Sequence, residues 1–359
     1  MLRKLSLKKI AGFVVAAGVL ATAGSAHASI INDGVFTPVI TSGALPDSPS
    51  AHVDPNVATS PYSGVVSINI RYSGKSFICS GALVGKRQVI SAGHCVDTDG
   101  NGTVVDVTKA GNDVRVIFNS NGTNNAMITA VGVSMNPDYA GFGKCPVGVN
   151  SFCVNDDISV ITLGADAPPS AKIYKVATNP LLAGTHIMMA GYGTSGDGTS
   201  GYYVSPSFYK KRQGENYVDL FDADDEAGFA AGSRSEVYYA DFDGAGKDTF
   251  CTNYGACSPA LPNDRESGIG GGDSGGPSFI NMYGELMLVA NNTFSGTFSG
   301  QTAGTFGTYF GGIVLGGYAD YLQGATGGNI SFVPEPTSIA LFGLGVAALL
   351  GSRRRSIKK

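Results

Sequence analysis

The chain has 359 residues, with 52 glycines, six cysteines, four histidines and no tryptophan, and a formal net charge of −4. Nine of the 24 basic residues sit at the two ends, four in residues 1–28 and five after Pro336, so the body keeps 15 basic against 28 acidic residues. An acidic body excludes nucleic acid as a partner, because a phosphate backbone is met by basic patches; the acidity serves solubility and cation binding.

In chain order, a basic start from Met1 to Lys9 leads into an apolar run from Ile10 to about Thr22, closed by Ala26-His27-Ala28. This is the layout of a secretory signal peptide, with small residues where signal peptidase cuts. The apolar run is short of the roughly 20 residues that span a bilayer. An irregular arm, residues 29–59, follows. The body between the two ends, about 300 residues, suffices for one large all-β domain or two small ones. Short β-branched runs such as Val65-Val-Ser-Ile-Asn-Ile70 and Asp157-Ile-Ser-Val-Ile-Thr-Leu163 alternate with Gly/Asn/Asp/Ser clusters. They predict many short strands joined by turns, in a sandwich or barrel. No long amphipathic helix and no repeat interrupts that pattern.

The cysteines fall into close pairs, Cys79 with Cys95, Cys145 with Cys153 and Cys251 with Cys257. An even count in an exported chain predicts disulfides, although six cysteines allow 15 pairings. Asp97-Thr-Asp99-Gly-Asn101-Gly-Thr103 has acids or amides at alternate positions, like the first half of a calcium loop. Its twelfth position is Thr108 and not Glu, so the loop is incomplete; it is compatible with a structural calcium ion and equally with a hydrated turn. At the C-terminal end come Val333-Pro-Glu-Pro336, an apolar stretch from Ile339 to Leu350, and Arg353-Arg-Arg355 with Lys358 and Lys359. The basic cluster should stay cytoplasmic, so the segment would hold the chain transiently in the membrane with its body outside.

The chemistry centres on Gly270-Gly-Gly-Asp-Ser-Gly-Gly-Pro277. Glycines let the backbone turn sharply around Ser274. The amides of Gly272 and Ser274 can then receive the oxyanion of a carbonyl under attack. A phosphate cradle would need a following Lys and a helix; Pro277 and Ser278 supply neither. A serine nucleophile needs a base. His27 belongs to the signal peptide, His52 to the arm, and His186 lies beside an apolar strand, which leaves His94 in Val89-Ile-Ser-Ala-Gly-His-Cys95. The base needs a carboxylate to set its tautomer. Asp157, at the head of a strand, is the candidate and Asp156 its competitor. No histidine follows Ser274, so the α/β-hydrolase order fails. The subtilisin order would need an acid before His94, where Asp54 is not at a strand end. The order His, Asp, Ser remains.

These residues resemble the trypsin/chymotrypsin family of serine proteases. Cys79-Ser-Gly-Ala-Leu-Val resembles its strand before the histidine, Ser91-Ala-Gly-His-Cys95 its histidine loop, and Gly272-Asp-Ser-Gly-Gly-Pro277 its nucleophile signature. The resemblance covers residues 60–325 and implies an all-β fold of two antiparallel six-stranded β-barrels with the active site between them. It implies a secreted serine endopeptidase acting on protein or peptide substrates, with no required cofactor. His94, Asp157 and Ser274 would be its triad, and Cys79–Cys95 the disulfide beside the histidine. The rival readings are a catalytically silent homologue that binds at the surface or matrix, and a structural matrix adhesin. Residues 333–359 resemble the PEP-CTERM sorting tails of Gram-negative bacteria, which implies recognition by an exosortase, export through the periplasm, and delivery to the cell surface or extracellular matrix.

The chain also departs from the family. Gly270 stands where the family commonly has a cysteine. Gly268 stands at the base of the specificity pocket, where a trypsin-like preference for Arg or Lys needs Asp; an uncharged preference follows, unless Glu266 takes that place. Residues 197–262 read as an insertion. No Lys or Arg lies between Lys9 and Arg71, so tryptic activation is not expected at the arm. Signal-peptide removal would expose Ser29.

Overall fold

The computed structural model describes residues 29–30, 40–178, 180–282 and 284–334. The signal-peptide expectation, and the sorting tail from residue 335 onward, lie outside them. Among the described residues no helix is long and apolar enough to cross a membrane.

Seven strands build the first sheet: β1 (Ser29–Ile30), β2 (Val65–Tyr72), β3 (Lys75–Leu83), β4 (Gln88–Ser91), β5 (Asp113–Phe118), β6 (Ala126–Met135) and β7 (Ser159–Leu163). Their order is β1-β3-β2-β5-β6-β7-β4, and β4 also pairs with β3. Six of them therefore close into an antiparallel barrel, which leaves no free edge. Ser29 and Ile30 add an edge strand against Ile78 and Phe77.

Alternation along the strands sorts the side chains. Val66, Ile68 and Ile70 of β2, with Cys79 and Leu83 of β3, fill the barrel. Val65, Ile78 and Ala82, one position out of phase, turn to the second half of the molecule and join a cluster with Ala190, Tyr192, Phe279 and Leu288. Thus one set of strands serves two cores.

The second half holds β8 (Val176–Ala177), β9 (His186–Gly191), β10 (Ser195–Asp197), β11 (Gly201–Val204), β12 (Arg212–Tyr217), β13 (Leu220–Ala223) and β14 (Ser235–Asp241). A short helix α1 (Thr249–Tyr254) follows, then β15 (Pro277–Met282), β16 (Glu285–Gly296), β17 (Tyr309–Val314), α2 (Ala319–Ala325) and β18 (Phe332–Val333). Nine of these strands form one sheet with the path β12-β9-β15-β16-β17-β14-β13, while β8 joins β16 and β18 in parallel. β12 and β13 are two legs of one bent strand, separated only by Val218 and Asp219, so the path returns on itself: that strand pairs with β9 through β12 and with β14 through β13, and β9, β15, β16, β17 and β14 complete the expected second antiparallel six-stranded barrel.

Residues 197–262 are also more integral than an insertion. They supply β12, which pairs with β9, and β14, which pairs with β17. The disulfides are Cys79–Cys95, Cys145–Cys153 and Cys251–Cys257.

Phe279 shows how the halves are welded. It is fully buried on β15, and its ring lies 4.6 Å from Tyr174 and 6.2 Å from Tyr62. Phe279→Ala should lower the free energy of unfolding by about 3–5 kcal/mol, read from urea denaturation. A loss under about 1 kcal/mol would mean that the two halves do not share this core.

Candidate active site

The site is assembled by strand pairing. In the antiparallel pair of β4 and β7, Ser91 faces Ser159. The chain leaving β4 reaches His94 three residues later, and Asp157 lies two residues before β7. Both therefore emerge at one end of the same two-strand ladder, although 63 positions separate them in sequence. Asp157 is fully buried. Its Oδ2 lies 2.6 Å from His94 Nδ1, and its Oδ1 accepts the backbone N–H of His94 at 2.6 Å. One carboxylate thus grips both the ring and the main chain of the same residue. Such a grip fixes the ring's orientation and directs the Nδ1 proton to the acid, leaving Nε2 as the basic nitrogen.

The competitor Asp156 points elsewhere. Its φ of 61° turns the backbone, and its carboxylate accepts from Asn136 Nδ2 at 3.0 Å. Burial pushes its pKa up to about 8, and the neighbouring Glu236, Glu226 and Asp225 push the same way.

Ser274 comes from the other half, in the turn before β15. That turn is pinned on two sides. Ser80 of β3 donates its N–H to the Ser274 carbonyl at 2.8 Å, and its hydroxyl donates to the Gly272 carbonyl at 2.9 Å. Gly275 N–H donates to the Asn292 carbonyl at 2.6 Å, and Asn292 N–H to the Gly276 carbonyl at 2.7 Å. Two glycines are obligatory here. Gly272 has φ +102°, and a Cβ on it would lie 2.7 Å from Gly193 Cα. Gly275 has φ +77°, and a Cβ there would lie 2.1 Å from Ser91 Oγ. Only glycine meets both demands at little cost.

Among the described residues the N–H groups of Gly272 and Ser274 donate to no protein acceptor. Buried amides are nearly always paired, so two unpaired ones beside a serine form a ready acceptor site for an oxyanion. Two of the three proposed triad members meet at one sulfur: Cys95 Sγ lies 3.9 Å from His94 Nε2 and 3.7 Å from the Ser274 carbonyl oxygen. Among the described residues no hydrogen bond joins Ser274 Oγ to His94, whose polar contacts are with Asp157 and Cys95; catalytic hydrogen bonds are often long or poorly aligned until a substrate is bound.

Asp273 anchors the turn from behind. It is fully buried; Oδ1 accepts from Gly193 N–H at 2.8 Å and Oδ2 from Gly270 N–H at 3.0 Å. Burial pushes its pKa up to about 7, opposed by these amides and by the charge of Arg212.

Sequence reasoning missed Asn291. This buried β16 residue donates from Nδ2 to the carbonyls of Asp157, at 3.1 Å, and of Ser91, at 3.3 Å. It ties the second sheet to both loops that carry His94 and Asp157. An Asn inside an apolar strand, with a second Asn beside it, was the available signal.

Gly268, placed at the pocket base by the resemblance, is held by the N-terminal arm. Its N–H donates to Thr41 Oγ1 at 2.7 Å, and its carbonyl accepts from that hydroxyl at 3.0 Å. Glu266 is buried and turned to Leu261 N–H, 3.0 Å away; burial raises its pKa to about 9.

The other two histidines among the described residues have carboxylate partners. His52 Nε2 lies 2.8 Å from Asp47, and His186 Nε2 2.6 Å from Glu215. In the loop at residues 97–103, Asp97 and Asp99 turn inward: Asp97 accepts from the amides of Gly100 and Gly102, and Asp99 from that of Asn101, while Lys144 caps the Asn101 side chain.

The Trypsin family model matches residues 54–310, and the PEP-CTERM protein-sorting motif matches residues 332–355. No curated protein matches the chain. The first match spans well over half of the sequence, including His94, Asp157 and Ser274, and the chain belongs to the trypsin family.

Proposed function

We propose that this protein is an exported serine endopeptidase that cleaves peptide bonds through an acyl-enzyme, with His94, Asp157 and Ser274 as its triad. The observation that carries the reading is the double grip of Asp157 on His94, on the same sulfur as the Ser274 backbone. A carboxylate so placed is what an imidazole needs to act as a base.

His94 Nε2 takes the Ser274 proton as Oγ attacks the substrate carbonyl. The carbonyl oxygen becomes an oxyanion, received by the amides of Gly272 and Ser274. Asp157 stabilises the imidazolium, which then gives its proton to the leaving amine. Water enters, loses a proton to His94, and hydrolyses the ester, restoring Ser274. No cofactor takes part. The Asp273 carboxylate, satisfied by Gly193 and Gly270, holds the oxyanion turn in its competent form. Gly268 offers no charge at the pocket base, and the Glu266 carboxylate is engaged by Leu261, so an uncharged side chain of the substrate is the expected fit. The sorting motif at residues 332–355 supports handling by an exosortase and delivery to the cell surface of a Gram-negative bacterium.

A fluorophosphonate probe should label the purified protein at Ser274, and Ser274→Ala should take up no label and cut no peptide. A folded wild type that resists the probe would instead favour a silent homologue that binds without cutting. Gly272→Ala, which forces a Cβ onto Gly193, should lower kcat by about 10²-fold or more with little change in KM. Full kcat in that variant would exclude this amide as an oxyanion donor.

A further inference from the structure

Behind the specificity pocket lies a second cluster of acids that the proposed reaction does not use. The segment Asp241-Phe-Asp243-Gly-Ala-Gly-Lys-Asp248 leaves β14, turns through exposed glycines and enters α1. One carboxylate oxygen from each of Asp241, Asp243 and Asp248 lies within 4.8 Å of the others.

Part of this arrangement has a structural explanation. Asp241 Oδ2 accepts the N–H groups of Thr249 and Phe250, at 2.6 and 2.9 Å, and Asp248 Oδ1 accepts that of Cys251 at 2.8 Å. These bonds start the helix and hold two carboxylates in place with one oxygen each. They leave the rest unexplained. Asp243 is only 5% exposed, and Asp241 only 1%, yet Oδ1 of each has no hydrogen-bond partner. Asp219 and Glu266, equally buried, flank them with one unpartnered oxygen apiece. Among the described residues no ion pair reaches any of these five acids. The nearest cation in sequence, Lys247, turns its Nζ to the Phe306 carbonyl, 3.3 Å away. Buried carboxylates without partners are strongly unfavourable unless a proton or a cation joins them.

We propose that Asp241, Asp243 and Asp248 bind a calcium ion, with Asp219 and Glu266 adding negative charge behind them. All-oxygen, carboxylate-rich ligands suit a hard divalent cation. Asp248 at a half-buried rim and an irregular glycine turn suit calcium, whose coordination tolerates irregular geometry, better than magnesium, which demands a stricter one. The ion would brace the specificity pocket. Phe242 sits between two of the ligands, and its Cβ lies 3.6 Å from where a Cβ on Gly268 would be. Asn216 Nδ2 bridges the carbonyls of Asp241 and Ser267, at 2.9 and 3.0 Å, so the ligand strand is wired to the residue before Gly268.

The test is calcium chloride added to chelator-treated protein, read by titration calorimetry and by thermal unfolding, with sodium at matched ionic strength as control. Calcium should raise the unfolding temperature, since a ligand that binds only the folded state stabilises it. In Asp243→Asn the number of calcium ions bound per chain should fall by one, or the affinity of that site should drop by about tenfold or more. Because Asp243 makes no hydrogen bond that the amide would lose, chelated Asp243→Asn should unfold no earlier than chelated wild type. Asp99→Asn should keep the ion. The proposal is overturned if wild type shows no calcium-specific shift, if sodium reproduces it, if Asp243→Asn binds as wild type does, or if Asp99→Asn and not Asp243→Asn abolishes the effect.

Discussion

The active-site account depends on the pairing of β4 with β7. That ladder sets Ser91 opposite Ser159, so the residues just beyond β4 and just before β7 share one end of the barrel. Asp157 then needs no long reach: a buried carboxylate closes on the His94 ring and the His94 amide together. A buried charge is tolerated only when its oxygens are occupied. Asp157 meets that condition with bonds that also fix the ring of His94, the proposed base. A slip of one residue in the ladder would turn each side chain to the opposite face and dissolve the pair.

The turn that carries Ser274, the proposed nucleophile, depends on a different constraint, backbone shape. Gly272 and Gly275 occupy positive φ at points where a Cβ would strike Gly193 and Ser91. In this turn the amides of Gly272 and Ser274 have no protein acceptor among the described residues. The same tightness draws Asp273 inward onto the amides of Gly193 and Gly270. Ser80 and Asn292 fasten the turn to β3 and β16, one strand from each half of the molecule. The site therefore sits on a seam, and Phe279, Tyr174 and Tyr62 pack that seam shut.

Much of this was legible in the amino-acid sequence, for identifiable reasons. The glycine-serine signature, the histidine loop and the strand after Asp157 are local patterns whose residue types are dictated by chemistry or by backbone geometry, so they survive reading without a structure. All-β architecture followed from short β-branched runs, and the first barrel closes as expected. What stayed hidden depends on contacts between distant segments. Asn291 looks like any polar residue in a strand until its amide is seen bridging Asp157 and Ser91. The strands β12 and β14 fall within a stretch rich in Asp and Tyr, whose polar residues mask the alternation; only pairing with β9 and β17 reveals them as part of the sheet. The closure of the second sheet through the bend between β12 and β13, and the turn of the Glu266 carboxylate toward Leu261, are likewise decisions of tertiary packing. Acid spacing at residues 241–248 resembles that at 97–103, but the structure separates the two: one loop satisfies its carboxylates with its own amides, and the other leaves buried oxygens bare.

A crystal structure of the protein with a peptidyl boronate tests the account most directly. The proposed triad predicts a covalent bond from boron to Ser274 Oγ, a boronate oxygen within hydrogen-bonding distance of both the Gly272 and Ser274 amides, and His94 Nε2 turned to the adduct while Nδ1 stays on Asp157. A boronate bound in the cleft without a bond to Ser274, or one whose oxygen lies away from those two amides, would contradict it.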